Sequence, residues 1–89
     1  MTPEQKELLR DALVTALVLQ SPLSLPVGTL QGVARAAGFR IDAEELDREI
    51  QYLVEKGMAE KMPVKLSAGV KRWKSTAAAV DYCEEKGLV

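Results

Sequence analysis

Five basic side chains of this 89-residue chain fall in one short stretch, Lys61, Lys65, Lys71, Arg72 and Lys74, and no acid interrupts residues 61–74. Cations gathered in that way can neutralise phosphates along a nucleic-acid backbone, the interaction that supplies most of the affinity of such interfaces. Trp73, in their midst, is suited to packing their aliphatic stems or to stacking on a base, although a tryptophan is more often a core anchor. Lysines on an edge strand also serve simply to block strand-to-strand aggregation. Immediately upstream the charge reverses: residues 42–57 hold six acidic side chains against two basic ones, a net of −4. If Leu46, Ile50, Leu53 and Val54 turn inward, the outward face of that segment is Glu44, Glu45, Arg48, Gln51, Tyr52 and Glu55. Such a face opposes phosphates and suits a basic protein partner.

Other chemistries find little support. The chain has no histidine, hence no imidazole base or metal ligand, and its single cysteine, Cys83, can build neither a thiolate cluster nor an internal disulfide. The acidic run lacks the glycine-turn spacing of a calcium loop, and Gly69 to Ser75 has no glycine before its lysine as a phosphate loop requires. We expect no enzyme, no cofactor and no metal site. Twelve basic residues against 13 acidic ones leave a net charge of −1, so any nucleic-acid affinity must be local. The apolar run from Ala12 to Leu19 is too short to span a bilayer, and it follows an acidic segment instead of the basic lead of a secretory signal. With the lone Cys83 on an apolar helical face, these features predict a reduced, cytoplasmic chain with no membrane partner.

The elements that must position these residues follow from caps and periodicity. Thr2, Pro3 and Gln5 have the spacing of a capping box that opens a first helix, and Gln20-Ser21-Pro22 closes it. Its apolar arc is Leu8, Leu9, Ala12, Leu13, Ala16, Leu17 and Leu19. Val14 and Val18 fall outside that arc, and two β-branched apolar residues on an otherwise wet face suggest a homodimer contact. A proline-bearing connector follows, with a short edge strand at Leu23 to Leu25. Thr29 is placed to cap a second helix carrying Leu30, Val33, Ala34 and Ala37, and Gly38 ends it before a turn. Asp42, with Glu45 three residues on, opens a third helix that stops at Gly57. Beyond it, Met62, Val64 and Leu66 alternate with polar positions as a half-buried strand, Ser67-Ala68-Gly69 turns the chain, and Val70 to Lys74 returns. Ser75 or Thr76 caps a last helix with Ala77, Val80 and Cys83 inward. Eighty-nine residues suffice for one core, so residues 1–89 are expected to form a single domain.

The run Ile50-Gln51-Tyr52-Leu53-Val54-Glu55-Lys56-Gly57-Met58-Ala59-Glu60, followed by Arg72-Trp73-Lys74-Ser75-Thr76-Ala77-Ala78, resembles the end of the recognition helix, the wing and the closing helix of winged helix-turn-helix regulators. Many of these are small bacterial and phage proteins, and a phage-like regulator is what the resemblance suggests here. It implies a mainly α fold, helix-helix-helix-β-ribbon-helix with a two- or three-stranded wing, and double-stranded DNA as partner. It also implies that the third helix enters the major groove while the wing contacts the backbone. Mapped on this chain, the DNA-binding candidates are Arg35, Arg40, Arg48, Lys61, Lys65, Lys71, Arg72 and Lys74. The alternative is a winged-helix interaction module that offers Glu44, Glu45, Tyr52 and Glu55 to a basic protein and binds no DNA.

Overall fold

The computed structural model describes residues 1–63 and 71–89. The expected turn at Ser67-Ala68-Gly69, the strand positions Val64, Leu66 and Val70, and Lys65 lie outside the described residues. Helix α1 (Pro3–Leu19) is followed by a short strand β1 (Leu25–Pro26), α2 (Val27–Ala36), α3 (Ala43–Glu55), β2 (Ala59–Lys61), β3 (Arg72–Ser75) and α4 (Ala77–Lys86). The order is that of a winged helix, four helices with a small antiparallel sheet whose two-stranded ribbon lies between the third and the fourth and whose short β1 comes between the first and the second.

Local chemistry sets most of the boundaries. The Thr2 side chain accepts from the backbone of Gln5 while the Gln5 side chain accepts from the Thr2 backbone, a complete capping box. Asp42 caps α3 by accepting from the Glu45 N–H at 2.8 Å. Thr76 caps α4 through Ala79 and also donates to the Gly57 carbonyl, tying the end of α3 to the start of α4. Gly38 (φ 93) and Gly57 (φ 75) occupy the left-handed region, where a Cβ is disfavoured, and there the chain leaves α2 and α3. The second helix departs from expectation: it starts two residues before Thr29, on Pro26, with no side-chain cap. Pro26 still belongs to the sheet, so the chain passes directly from strand to helix.

The sheet order is β1-β3-β2, which makes β3 the central strand. Leu25 lies opposite Trp73 on one side, and Ala59, Glu60 and Lys61 lie opposite Ser75, Lys74 and Trp73 on the other. The ribbon therefore begins earlier than the Met62–Leu66 alternation suggests, because the Gly57 turn bonds Met58 back to Leu53 and places Ala59 in the ladder at once. Met62 still donates to the Arg72 carbonyl, so pairing runs up to Pro63. The edge strand expected at Leu23 to Leu25 lies at Leu25–Pro26.

One core joins all the layers: Leu9, Leu13 and Leu17 of α1, Leu30 and Ala34 of α2, Leu46, Ile50 and Leu53 of α3, and Ala59 and Trp73 of the sheet. Trp73 is thus the anchor under the wing, with no face left for a base. A smaller cluster, Val14, Ala79 and Cys83, seals α4 against α1. Here two expectations are corrected. Val14 is fully buried and Val18 packs beside it, so α4 of the same chain covers the surface assigned to a partner copy. Conversely, Leu8 and Leu19, placed in the buried arc, are 62% and 67% exposed. Periodicity located an apolar helix correctly but could not tell which sector α4 would take. On α4 the inward residues are Ala79 and Cys83, while Ala77 is exposed and Val80 half-buried. Among the described residues, no helix is long and apolar enough to cross a membrane.

Candidate nucleic-acid interface

Helices α2 and α3 present the turn between them at the surface, and the two arginines flanking it are both exposed. Arg35 lies in the last turn of α2 and Arg40 precedes the Asp42 cap; together with Gln31, Phe39 and Glu45 they line an open groove. Arg48 stands exposed on the outer face of α3, and Lys61 is exposed at the end of β2. Among the described residues, none of these four cations has an ion-pair partner.

The rest of the wing is less free than its sequence implies. Arg72 turns inward along the sheet, its Nε donating to Ser24 Oγ and its Nη2 to the Ser24 carbonyl, both at 2.8 Å. This guanidinium fastens the connector, and with it β1, to the central strand. Lys74 faces Glu60 across the ladder at 3.7 Å, and Lys71 approaches Asp47 of α3 at 3.9 Å. Both pairs are solvent-exposed and so weak, which leaves each lysine able to exchange its carboxylate for a phosphate. Of the eight expected DNA-contacting residues, the structure groups Arg35, Arg40 and Arg48 around the helix-turn-helix and Lys61, Lys71 and Lys74 around the wing. It gives Arg72 a structural task instead, and Lys65 lies outside the described residues.

The acidic face is real and is not uniform. Glu44, Glu45 and Glu55 are exposed, as expected of an α3 surface open to a partner. Tyr52 is half-buried: the Arg10 guanidinium lies 3.7 Å above its ring, and Lys56 approaches at 5.6 Å. Arg10 in turn pairs with Glu49 at 2.6 Å, a contact that locks α3 to α1. Tyr52 therefore serves the packing of α3 more than its outer surface.

Sequence reasoning missed a second polar cluster, where α1 meets α4. Lys86 Nζ donates to Asp11 and to Glu7, each at 2.8 Å, and Tyr82 donates to Asp11 at 2.6 Å. Donating to Asp11, Glu7 and Tyr82 holds the Lys86 ammonium well above the ordinary lysine range. Burial, and then the Asp11 hydrogen bond, raise the Tyr82 phenol, while burial raises the Cys83 thiol and makes it less reactive. Residues more than seventy positions apart make this network, so no local pattern announces it.

Comparison with known proteins bears on the fold. No family model matches the chain, and no curated protein matches it either. Solved structures do. A mutant MarR from E. coli aligns with 96% of this chain at a TM-score of 0.67 and 20% identity. ZitR from Lactococcus lactis, a zinc-responsive MarR family member, aligns with 99% at a TM-score of 0.68 and 12% identity. The mutant MarR complexed with operator DNA aligns with 92% at a TM-score of 0.63 and 20% identity. At such identities the likeness establishes the winged-helix fold. This chain spans 54%, 52% and 62% of those three chains, little more than half of each.

Proposed function

We propose that this chain is a single DNA-binding domain of the transcription-regulator type, working in the cytoplasm without catalysis or cofactor. It would hold the duplex through Arg35, Arg40 and Arg48 at the helix-turn-helix and through Lys61, Lys65, Lys71 and Lys74 on the wing. The observation that carries this reading is the set of exposed cations around the α2–α3 turn that have no ion-pair partner among the described residues, on a fold that in one similar structure is complexed with operator DNA. Arginine suits the task, since its planar fork reads guanine edges as well as phosphates. The wing would add backbone contacts once Lys71 and Lys74 release Asp47 and Glu60.

A second reading rests on a specific observation, the net charge of −4 across residues 42–57. A helix so acidic resists the phosphate-lined groove, and Glu44, Glu45 and Glu55 would instead meet a basic protein. Duplex binding measured across salt concentration separates the two. A DNA-binding domain shows affinity falling steeply with salt, with a slope set by the number of phosphates neutralised. No salt-sensitive binding even at low ionic strength would leave the acidic helix as the functional face.

A further inference from the structure

The acidity of α3 is distributed unevenly around the helix. Asp42 is its cap, Glu49 pairs with Arg10 at 2.6 Å, and Asp47 faces Lys71 of the wing at 3.9 Å. Glu44, Arg48, Gln51 and Glu55 are all exposed, and at about 100° per residue they fall within roughly 60° of arc, opposite the buried row Leu46, Ile50 and Leu53. They form the outermost row of the helix. Glu44 and Arg48 stand one turn apart in it, and neither has an ion-pair partner among the described residues.

What borders this row identifies what it faces. Glu45, on one flank, lines the open groove that also holds Arg35 and Arg40. Asp47, on the other flank, holds Lys71 of the wing. Cations therefore stand on both sides, while the row from Glu44 to Gln51 is neutral, Glu44 cancelling Arg48 and Gln51 carrying no charge. A DNA duplex presents the matching arrangement, two phosphate backbones with the base edges of the major groove between them. When the flanking cations take the backbones, the first turns of α3 point at base edges, and the side chains there select among them. A carboxylate can only accept a hydrogen bond. Cytosine is the one base that offers the major groove a donor and no acceptor, whereas adenine adds N7, guanine shows N7 and O6, and thymine shows O4. Gln51 has one donor and one acceptor to give, the complement of adenine N7 and N6. It lies about 10 Å from Glu44 along the helix, at 1.5 Å per residue, so the two meet separate base pairs.

We propose that Glu44 is a specificity-determining residue whose carboxylate accepts from the N4 amino group of a cytosine in the major groove, with Gln51 paired to an adenine at a separate position. The proposal rests on the DNA-binding function proposed above and gives that site a sequence. Arg48, between the two, keeps its hold on the duplex and offsets the charge of Glu44. The carboxylate that opposes docking on arbitrary DNA is then the device that rejects it, because opposite any other base it meets an acceptor.

Selection from short duplexes with a randomised centre, at low ionic strength, tests this. The unaltered chain is expected to enrich cytosine at one position by about 5- to 100-fold over the other bases, the discrimination that one good base contact supplies. Glu44→Gln is expected to move that preference to adenine and Glu44→Ala to erase it, with melting curves unchanged because the position is exposed. Gln51→Ala is expected to erase an adenine preference elsewhere in the site and to leave the cytosine in place. On duplexes of arbitrary sequence Glu44→Gln binds more tightly than the unaltered chain, and on the selected cytosine site less tightly. Simple repulsion would raise both alike. A selected pool with no cytosine preference, or a Glu44→Gln variant that gains equally on every sequence, overturns the proposal and leaves a domain that grips the backbone alone. If the unaltered chain shows no salt-sensitive duplex binding, the DNA-binding function itself fails and the proposal falls with it.

Discussion

The wing and helix α3 carry opposite charge in sequence, yet the fold treats the two charge sets differently. On the wing, three of the four described cations have engagements of their own: Arg72 holds Ser24, Lys74 faces Glu60 across the ladder, and Lys71 reaches Asp47. On α3, Asp42 is consumed by capping and Glu49 by Arg10, while Glu44, Glu45 and Glu55 stay exposed. Strand pairing brings side chains from distant positions face to face, so a basic run on a strand can be neutralised by its neighbour. A helix spreads its charges outward, and its acidity survives folding. The charge a partner meets is therefore more positive at the α2–α3 turn, and less positive on the wing, than the linear sequence indicates.

Both regions hang on one core, so the largest effect comes from that core. Leu53→Ala, at a fully buried α3 position in the same core as Trp73, is expected to cost about 2–5 kcal/mol of stability in chemical denaturation. A near-neutral result would mean that α3 and the sheet do not share that anchor. Next in size is Arg72→Ala. Loss of its two bonds to Ser24 is expected to destabilise the fold by ~1–3 kcal/mol, readable as a lowered melting temperature. If the melting temperature holds and only duplex affinity falls, Arg72 is a phosphate ligand after all and the contrast between wing and helix fails on the wing.

Arg48→Ala should behave oppositely. The fold is expected to keep its melting temperature, while duplex binding weakens and its salt dependence flattens by about one unit of slope per lost phosphate contact. Unchanged binding would move the interface away from α3. The smallest effect is expected from Glu60→Gln, which releases Lys74 from an exposed pair worth roughly 0.2–1 kcal/mol. Duplex affinity should rise modestly at low salt and converge on the unaltered chain at high salt. Glu44→Gln on α3 is expected to strengthen binding in the same sense, since no partner among the described residues absorbs that charge, and negligible duplex binding by the unaltered chain and both variants alike would favour the protein-partner reading.

The boundaries of α1, α3 and α4, the capping residues Thr2, Asp42 and Thr76, the glycine stops and the burial of Leu46, Ile50, Leu53 and Trp73 could all be read in the sequence, because each depends on chemistry within a few residues. The exposed arginines at the turn were legible for the same reason: they flank a local motif. Three features depend on tertiary structure. Which sector of α1 is buried depends on where α4 lands, and that reassigned Val14 to the core and Leu8 and Leu19 to the surface. Whether Arg72 is a ligand or a fastener depends on the return of Ser24 from 48 positions away. The clamp of Lys86 on Glu7 and Asp11 closes only when the two ends of the chain meet. Periodicity and capping are local properties of a chain, whereas the partner of a side chain is a property of the packing.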